Sequence, residues 1–345
     1  CVLHGNDFTF LGTDASLDTV QKAMTSRYEV KVRGRLGPSP KDDKSIRILN
    51  GILTWEKDGL VYEADQRHAE IIIEQLGLMK GKETLSTPAT ETKIDDDNDP
   101  DLDGSHSTKY RAIVARANFM AHDRPDLQFA VKELARDMSS PTNSSWVALQ
   151  RFGKYLKRRP RCVIKYPYQP ATTTIHVSTD ADWAGERISR KSTSGGMLQL
   201  GDHLLKSWSS TQSVIALSSS ESEFYAIVKG CSQALGLRAL MKDLGMDAQV
   251  KLLTDATTGK AIAGRRGLGR VRHIDVSNLW VQVKVKNGDV ELHKIKNDFN
   301  PSDILTKHLN EMKMLECLDF VNVHMADGRH ELAPSVANSE DVDLQ

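Results

Sequence analysis

The stretch Thr173-Thr174-Ile175-His176-Val177-Ser178-Thr179-Asp180-Ala181-Asp182-Trp183 decides how this chain is read. β-Branched residues run through Thr179, which reads as a strand, and the run stops on an acid. Residues 196–200 and 203–209 make two more strands, joined at Gly201-Asp202, a strong hairpin turn. Residues 219–244 form a long helix whose apolar face is Phe224, Ile227, Val228, Cys231, Leu235 and Leu240. A fourth strand over 250–254 follows, then a helix over 257–263, a glycine-rich basic loop and a helix from about 275 to 285. A fifth strand over 289–295 and a helix over 301–309 complete the series. Three antiparallel strands, a helix, a strand, helices, a strand and a helix predict an α/β fold built on a five-stranded mixed sheet with flanking helices.

Four acids punctuate that pattern: Asp180, Glu223, Asp255 and Asp303. Asp180 and Asp255 end strands, whereas Glu223 and Asp303 stand near helix starts. Both kinds of position can gather at one end of an α/β sheet, where ligands and metals bind. Mg²⁺ is a hard cation that takes oxygen ligands. Two such ions, about 3.5–4 Å apart and held by three or four carboxylates, suit phosphodiester hydrolysis. Each acid also has a plainer reading. Asp180 could open a polar turn, Glu223 and Asp303 could serve a helix dipole, and Asp255 could cap a helix. The four together on one α/β pattern favour the metal reading, although spacing alone leaves Asp182 and Glu221 as competitors.

At these residues the chain resembles the RNase H domain of copia-type LTR retrotransposon polyproteins. The matching blocks include Ser178-Thr179-Asp180-Ala181-Asp182-Trp183-Ala184-Gly185, Arg190-Lys191-Ser192-Thr193-Ser194-Gly195-Gly196 and Ser207-Trp208-Ser209-Ser210. Further on stand Ser220-Glu221-Ser222-Glu223-Phe224-Tyr225-Ala226, Arg272-His273-Ile274-Asp275 and Asp303-Ile304-Leu305-Thr306-Lys307. The resemblance implies an RNase H-like fold that cuts the RNA strand of RNA–DNA hybrids. It places the catalytic, metal-holding acids on Asp180, Glu223, Asp255 and Asp303 with two Mg²⁺, Mn²⁺ being a substitute, and it selects Glu223 over Glu221. One departure is Ala256, where the family usually has Asn.

Upstream, Tyr110-Arg111, Arg124-Pro125-Asp126, Ala130-Val131 and Trp146 resemble the connecting segment of the same polyproteins. Residues 1–83 resemble the C-terminal part of a reverse transcriptase palm and thumb. His4-Gly5-Asn6-Asp7 then falls on the Tyr-x-Asp-Asp polymerase motif, with Asn6 where the first aspartate belongs and only Asp7 matching an acid. Polymerisation by this chain is therefore not expected. The expected organisation is a palm/thumb remnant over 1–83, an acidic linker over 84–108, a helical connection over 109–170, an RNase H-like domain over 171–312, and a partly disordered tail over 313–345. The remainder of a reverse transcriptase polyprotein is the implied partner. A non-catalytic nucleic-acid-binding remnant and a scaffold subunit are the rival readings.

With 345 residues, 39% hydrophobic and 27% charged, the chain has the composition of a globular protein. Its net charge of zero confines nucleic-acid affinity to local patches. One basic run spans residues 151–161 and includes Arg158 and Arg159. A second contains Arg265, Arg266, Arg270, Arg272 and His273, studded with Gly264, Gly267 and Gly269 that let backbone amides approach phosphate. The plainer reading of either run is a solvated face. Trp183 is a candidate for lining the groove, His273 for packing or phosphate binding, and His293, inside a strand, has no proton-shuttle role. No apolar run reaches the roughly 18 residues of a membrane span. Four scattered cysteines and the lack of a signal peptide predict an intracellular protein, and the start at Cys1 suggests a piece of something longer.

Overall fold

A computed structural model of the chain describes residues 1–91, 99–186, 188–269 and 271–336. It divides into two compact units, Cys1–Lys44 and the chain from Ser45 onward.

In the first unit, β1 (Val2–His4) and β2 (Asp7–Thr9) form an antiparallel hairpin with His4 opposite Asp7. Helix α1 (Asp14–Thr25) follows, capped by the Thr13 hydroxyl, which accepts from the Ser16 amide. No described residue of α1 is buried, and Val2, Leu3 and Phe8 are exposed. Residues 28–33 form no strand.

The second unit holds two five-stranded sheets. The first comprises β3 (Ser45–Ile48), β4 (Gly51–Glu56), β5 (Gly59–Glu63), β6 (Arg161–Pro167) and β12 (Val323–Ala326), all antiparallel, in the order β12-β6-β5-β4-β3. Helices α2 (Arg67–Gln75), α3 (Gly104–Met120), α4 (Pro125–Arg136) and α5 (Asn143–Arg158) pack beside it. Their shared core includes Ile72, Tyr110, Ile113, Phe152 and Leu156. Buried in that core, Arg124 donates two hydrogen bonds to Asp126 and one each to the carbonyls of Arg159 and Pro160, and Tyr155 donates to Asp126, so the α4 start, α5 and the chain entering β6 are tied together.

The second sheet comprises β7 (Thr174–Asp182), β8 (Thr193–Leu200), β9 (His203–Thr211), β10 (Gln249–Thr254) and β11 (Glu291–Lys294), in the order β11-β10-β7-β8-β9. β7, β8 and β9 are antiparallel, while β10 runs parallel to both β7 and β11. This is the expected mixed five-stranded sheet. Helix α6 (Ser219–Asp243) crosses one face, with Phe224, Ile227, Cys231 and Ala234 packed against Ile175, Val177 and Leu252. Helices α7 (Thr257–Gly264) and α8 (Trp280–Lys286) extend that layer. The opposite face carries α4 and a short 3₁₀ helix, Pro301–Leu305, in place of the α-helix expected over 301–309. Helix α9 (Glu311–Asp319) leads from it into β12.

Three expected boundaries differ from the structure. The connection over 109–170 is not wholly helical, because β6 is a strand. The segment 313–345 opens as structure rather than tail: Met314, Cys317 and Leu318 of α9 are buried, and β12 pairs with β6. Strands from 45–63, 161–167 and 323–326 share one sheet, so the divisions at 83 and 170 cut through a layer. Pairing across such sequence distances leaves no local trace. Of the acidic linker, residues 92–98 lie outside the described residues. Its described end is docked, with Asp99 accepting from the Ser144 amide at 3.0 Å and Asp103 capping α3.

Candidate metal centre

Strand register builds the site. In the parallel pair, Thr179 of β7 stands opposite Thr254 of β10. Asp180 and Asp255 are each the next residue, so neighbouring strands deliver two acids at the same level. Glu223 comes from the start of α6, whose cap is the Ser218 hydroxyl accepting from the Glu221 amide. Carboxylate oxygens of Asp180, Glu223 and Asp255 all lie within 4.8 Å of one another.

Asp303 approaches from the other face, on the 3₁₀ helix. Asp180 is paired with Gly195 of β8, and a Cβ at Gly195 would stand 2.7 Å from both Leu305 Cβ and Thr306 Cγ2. The missing side chain is what lets the 3₁₀ segment lie directly on the sheet. Thr306 then donates its hydroxyl to Asp180 Oδ2. Lys307 Nζ stands 2.9 Å from Asp303 Oδ1 and 3.7 Å from Asp180 Oδ2. Asn300, fully buried, donates to the Thr179 carbonyl at 3.1 Å and accepts from the Ser302 amide at 3.2 Å. Asp303 is thus outside the group of three and is linked to it through Lys307.

The electrostatics follow from crowding. Burial, then the charges of Asp180 and Asp255, pushes the Glu223 carboxyl up to about 9. Burial and the Asp180 charge raise Asp303 to about 6, against the opposing pull of Lys307. Asp255 is raised for the same two reasons. Glu223 Oε2 is buried with no hydrogen-bond partner among the described residues, and Asp303 Oδ1 faces Lys307 without hydrogen-bond alignment. Clustered carboxylates with an orphaned oxygen match the donor set of a hard divalent cation, whose charge would offset their repulsion.

The two competitors are occupied elsewhere. Glu221 accepts from the Leu217 amide, the Tyr225 hydroxyl and His273. Asp182 lies near Lys132 and Arg136 of α4, with Lys132 opposing the rise that burial causes. The sequence marks Asn300 only as the cap of the helix that carries Asp303, a cap the structure contains, and gives Thr306 and Lys307 no role at the site. For Thr306 and Lys307 the signal was their spacing of three and four from Asp303, which places all three on one face of a helical turn.

No family model matches the chain. The Pol polyprotein of transposon RE2 from Arabidopsis thaliana is 26% identical over 316 residues, covering 90% of this chain and 21% of that protein. The Pol polyprotein of transposon TNT 1-94 from Nicotiana tabacum is 24% identical over 334 residues, covering 94% and 24%. These relatives, which cover most of this chain, are Pol polyproteins of copia-type transposons. The chain spans between a fifth and a quarter of the length of these two relatives. The secreted RxLR effector protein 161 of Plasmopara viticola is 34% identical over 126 residues, which covers 36% of this chain and 88% of that protein. Among solved structures, the N-terminal RNase H domain of rv2228c from Mycobacterium tuberculosis is similar at 17% identity, over 39% of this chain and 91% of that one, with a TM-score of 0.29. The foamy viral protease-reverse transcriptase is similar at 10% identity, over 74% and 46%, with a TM-score of 0.42.

The two basic runs divide sharply. In the first, Arg158 and Arg159 both pair with Glu311 of α9, at 3.0 and 2.9 Å. Arg151 donates to Thr87, Lys154 pairs with Glu83, Lys157 donates to the Leu78 carbonyl and Arg161 pairs with Glu63. That run holds α5 and β6 to their neighbours, so Arg158 and Arg159, expected to contact nucleic acid, both have a carboxylate partner in Glu311, and the Arg158 side chain stays 42% exposed. In the second run Arg265 donates to the Leu268 carbonyl. Arg266 and Arg272 are exposed and make no ion pair among the described residues. Arg270 lies outside the described residues. Trp183 is half exposed and donates to the Ala216 carbonyl at 2.9 Å. His293 stands in β11 beside Glu291. In the first unit, Asn6 sits in the hairpin turn and Asp7 lies 3.2 Å from Arg33.

Proposed function

We propose that the chain from Ser45 onward hydrolyses the RNA strand of RNA–DNA hybrids in a reaction dependent on Mg²⁺. The observation that carries this reading is the convergence of Asp180, Glu223 and Asp255 within 4.8 Å, with Glu223 Oε2 unpartnered. Asp180, Glu223 and Asp255, with Asp303 beside them, are the residues that would hold two magnesium ions, or manganese in their place. When bound, such ions activate water for attack on phosphorus and neutralise the departing oxyanion. The chain's own residues supply the frame. Thr306 and Lys307 orient Asp180 and Asp303, and Asn300 locks the strand end from which Asp180 projects. Arg266 and Arg272 offer phosphate contacts, which predict weak sequence preference and strong salt dependence. The polymerase portion is inactive in this reading, because the hairpin carries Asn6 where an acid is required.

The test is cleavage of a labelled RNA–DNA hybrid with and without Mg²⁺, with Asp180→Asn as control. We expect metal-dependent cutting of the RNA strand and a loss of about 100- to 1000-fold in Asp180→Asn, as removal of several kcal/mol of charge stabilisation requires. Hybrid binding without cleavage by the unaltered protein overturns the proposal and leaves a non-catalytic binding remnant.

A further inference from the structure

Glu221 and Glu223 are two positions apart on α6, which at 3.6 residues per turn sets them about 200° apart around the helix. Glu223 enters the acid cluster, and Glu221 points to the other side. Its side chain is only 2% exposed, yet it accepts three hydrogen bonds: from Leu217 N at 2.9 Å, Tyr225 Oη at 2.9 Å and His273 Nε2 at 2.7 Å. Leu217 and Tyr225 belong to α6 and its lead-in. His273 alone comes from a distant segment, the glycine-rich basic loop.

That loop is fastened at its other end as well. Gln282 of α8 is buried, accepts from the Gly267 amide at 2.7 Å, and donates to the carbonyls of Gly267 and Ile262 at 3.1 and 2.9 Å. Ile274, next to His273, is buried in the core of the mixed sheet. The exposed arginines flank or lie between these two anchors, and Arg272 is the immediate neighbour of His273. A loop of glycines and arginines would otherwise sample many conformations, at an entropic cost to any phosphate contact.

We propose that His273 is a positioning residue for the nucleic-acid backbone. Its bond to Glu221 fixes the basic loop to the same helical turn that presents Glu223. Phosphate-binding arginines and the acid cluster thereby share one rigid reference. The inference rests on the nuclease reading of the acids, and it assigns the Arg272-His273 pair a role that neither packing nor metal ligation supplies.

The experiment measures hybrid affinity across a salt series, KM and kcat for hybrid cleavage, and Mn²⁺ binding by electron paramagnetic resonance, in the full chain and in His273→Ala. We expect KM and the dissociation constant to rise about tenfold, with kcat changed less than twofold. The salt slope should fall by one to two as contacts at Arg266 and Arg272 are lost, and Mn²⁺ affinity should be unchanged. His273→Gln, which keeps a donor, should restore most of the affinity. The double variant His273→Ala/Arg272→Ala should bind little worse than His273→Ala, because both remove the same contact. Unaltered affinity and salt slope overturn the proposal. So does fully additive loss in the double variant, and so does loss of Mn²⁺ binding, which would make His273 a mere support for Glu223. If His273→Ala does not fold, His273→Phe takes its place, filling the space without a donor. Should the unaltered protein bind no Mn²⁺ and cut no hybrid, the nuclease reading falls, while the affinity and salt measurements still decide the clamp.

Discussion

Glu223 is where crowding is most severe, and its protonation gives the metal-free protein a signed pH dependence. Its carboxyl is raised from 4.5 to about 9 and that of Asp303 from 3.8 to about 6. Between the unfolded and folded values, the folded state holds protons that the unfolded state has released. Stability from these groups is therefore full below about pH 4 and is lost as pH rises, to near 6 for Asp303 and near 9 for Glu223. Thermal melts without metal should show a midpoint that falls from pH 5 to pH 9. Glu223→Gln should flatten most of that slope above pH 6. Mg²⁺ must displace the same protons, so its stabilising shift should be larger at pH 8.5 than at pH 5.5. A wild-type slope that Glu223→Gln leaves untouched would contradict the electrostatic account. At this scale Asp180, Glu223 and Asp255 stood out in the sequence because acids at strand ends and helix starts break an apolar pattern. Lys307 did not, because a lysine four residues after an acid is an ordinary surface motif until the fold buries the acid.

Among the elements, the 3₁₀ helix Pro301–Leu305 depends on a gap in a neighbouring strand. Gly195→Val should force Leu305 and Thr306 away from β8, since even a Cβ there would stand 2.7 Å from each. We expect about 1–3 kcal/mol of destabilisation from overpacking, read as a lower urea midpoint. Mn²⁺ affinity should weaken too, as Thr306 and Asp303 withdraw from Asp180. Substitution at the exposed Gly236, where a Cβ meets nothing within 4 Å, is the matched control. The order of strands and helices in the mixed sheet was legible because alternation, length and the Gly201-Asp202 turn are local signals. The segment at 301–309 was legible as helical but not as 3₁₀, since Pro301 and the Asn300 cap mark a start without fixing the pitch. Strand β6 was hidden by the basic run on its border, and β12 by its distance from every partner.

For the molecule as a whole, one apolar core spans both sheets of the second unit. Met197, Leu204, Ile304 and Leu305 of the mixed-sheet region join Ile72, Tyr110 and Phe152 in a single cluster. A fragment restricted to 171–312 would expose that surface and also lose the buried Cys317, Leu318 and Val323. We expect such a fragment to bind hydrophobic dye and to melt without a sharp transition, while the chain from 45 to 336 melts cooperatively. A sharp, dye-free transition in the short fragment would show the mixed sheet to be self-sufficient. Composition gave no hint of this sharing, because a contiguous core has no signature in residue order.

The parallel register of β7 and β10 works as a ruler for length. Asp180 and Asp255 meet because each follows one member of the Thr179–Thr254 pair. Exchanging residues along either strand leaves that measure intact. Adding or removing one residue turns every later side chain to the opposite face. Two residues restore the face but displace the acid by roughly 6.6 Å, beyond the reach of its partners. Any drifting copy of this sequence would therefore tolerate many spelling changes between 174 and 182 and between 249 and 255, yet lose the acid cluster to a single in-frame codon gained or lost there.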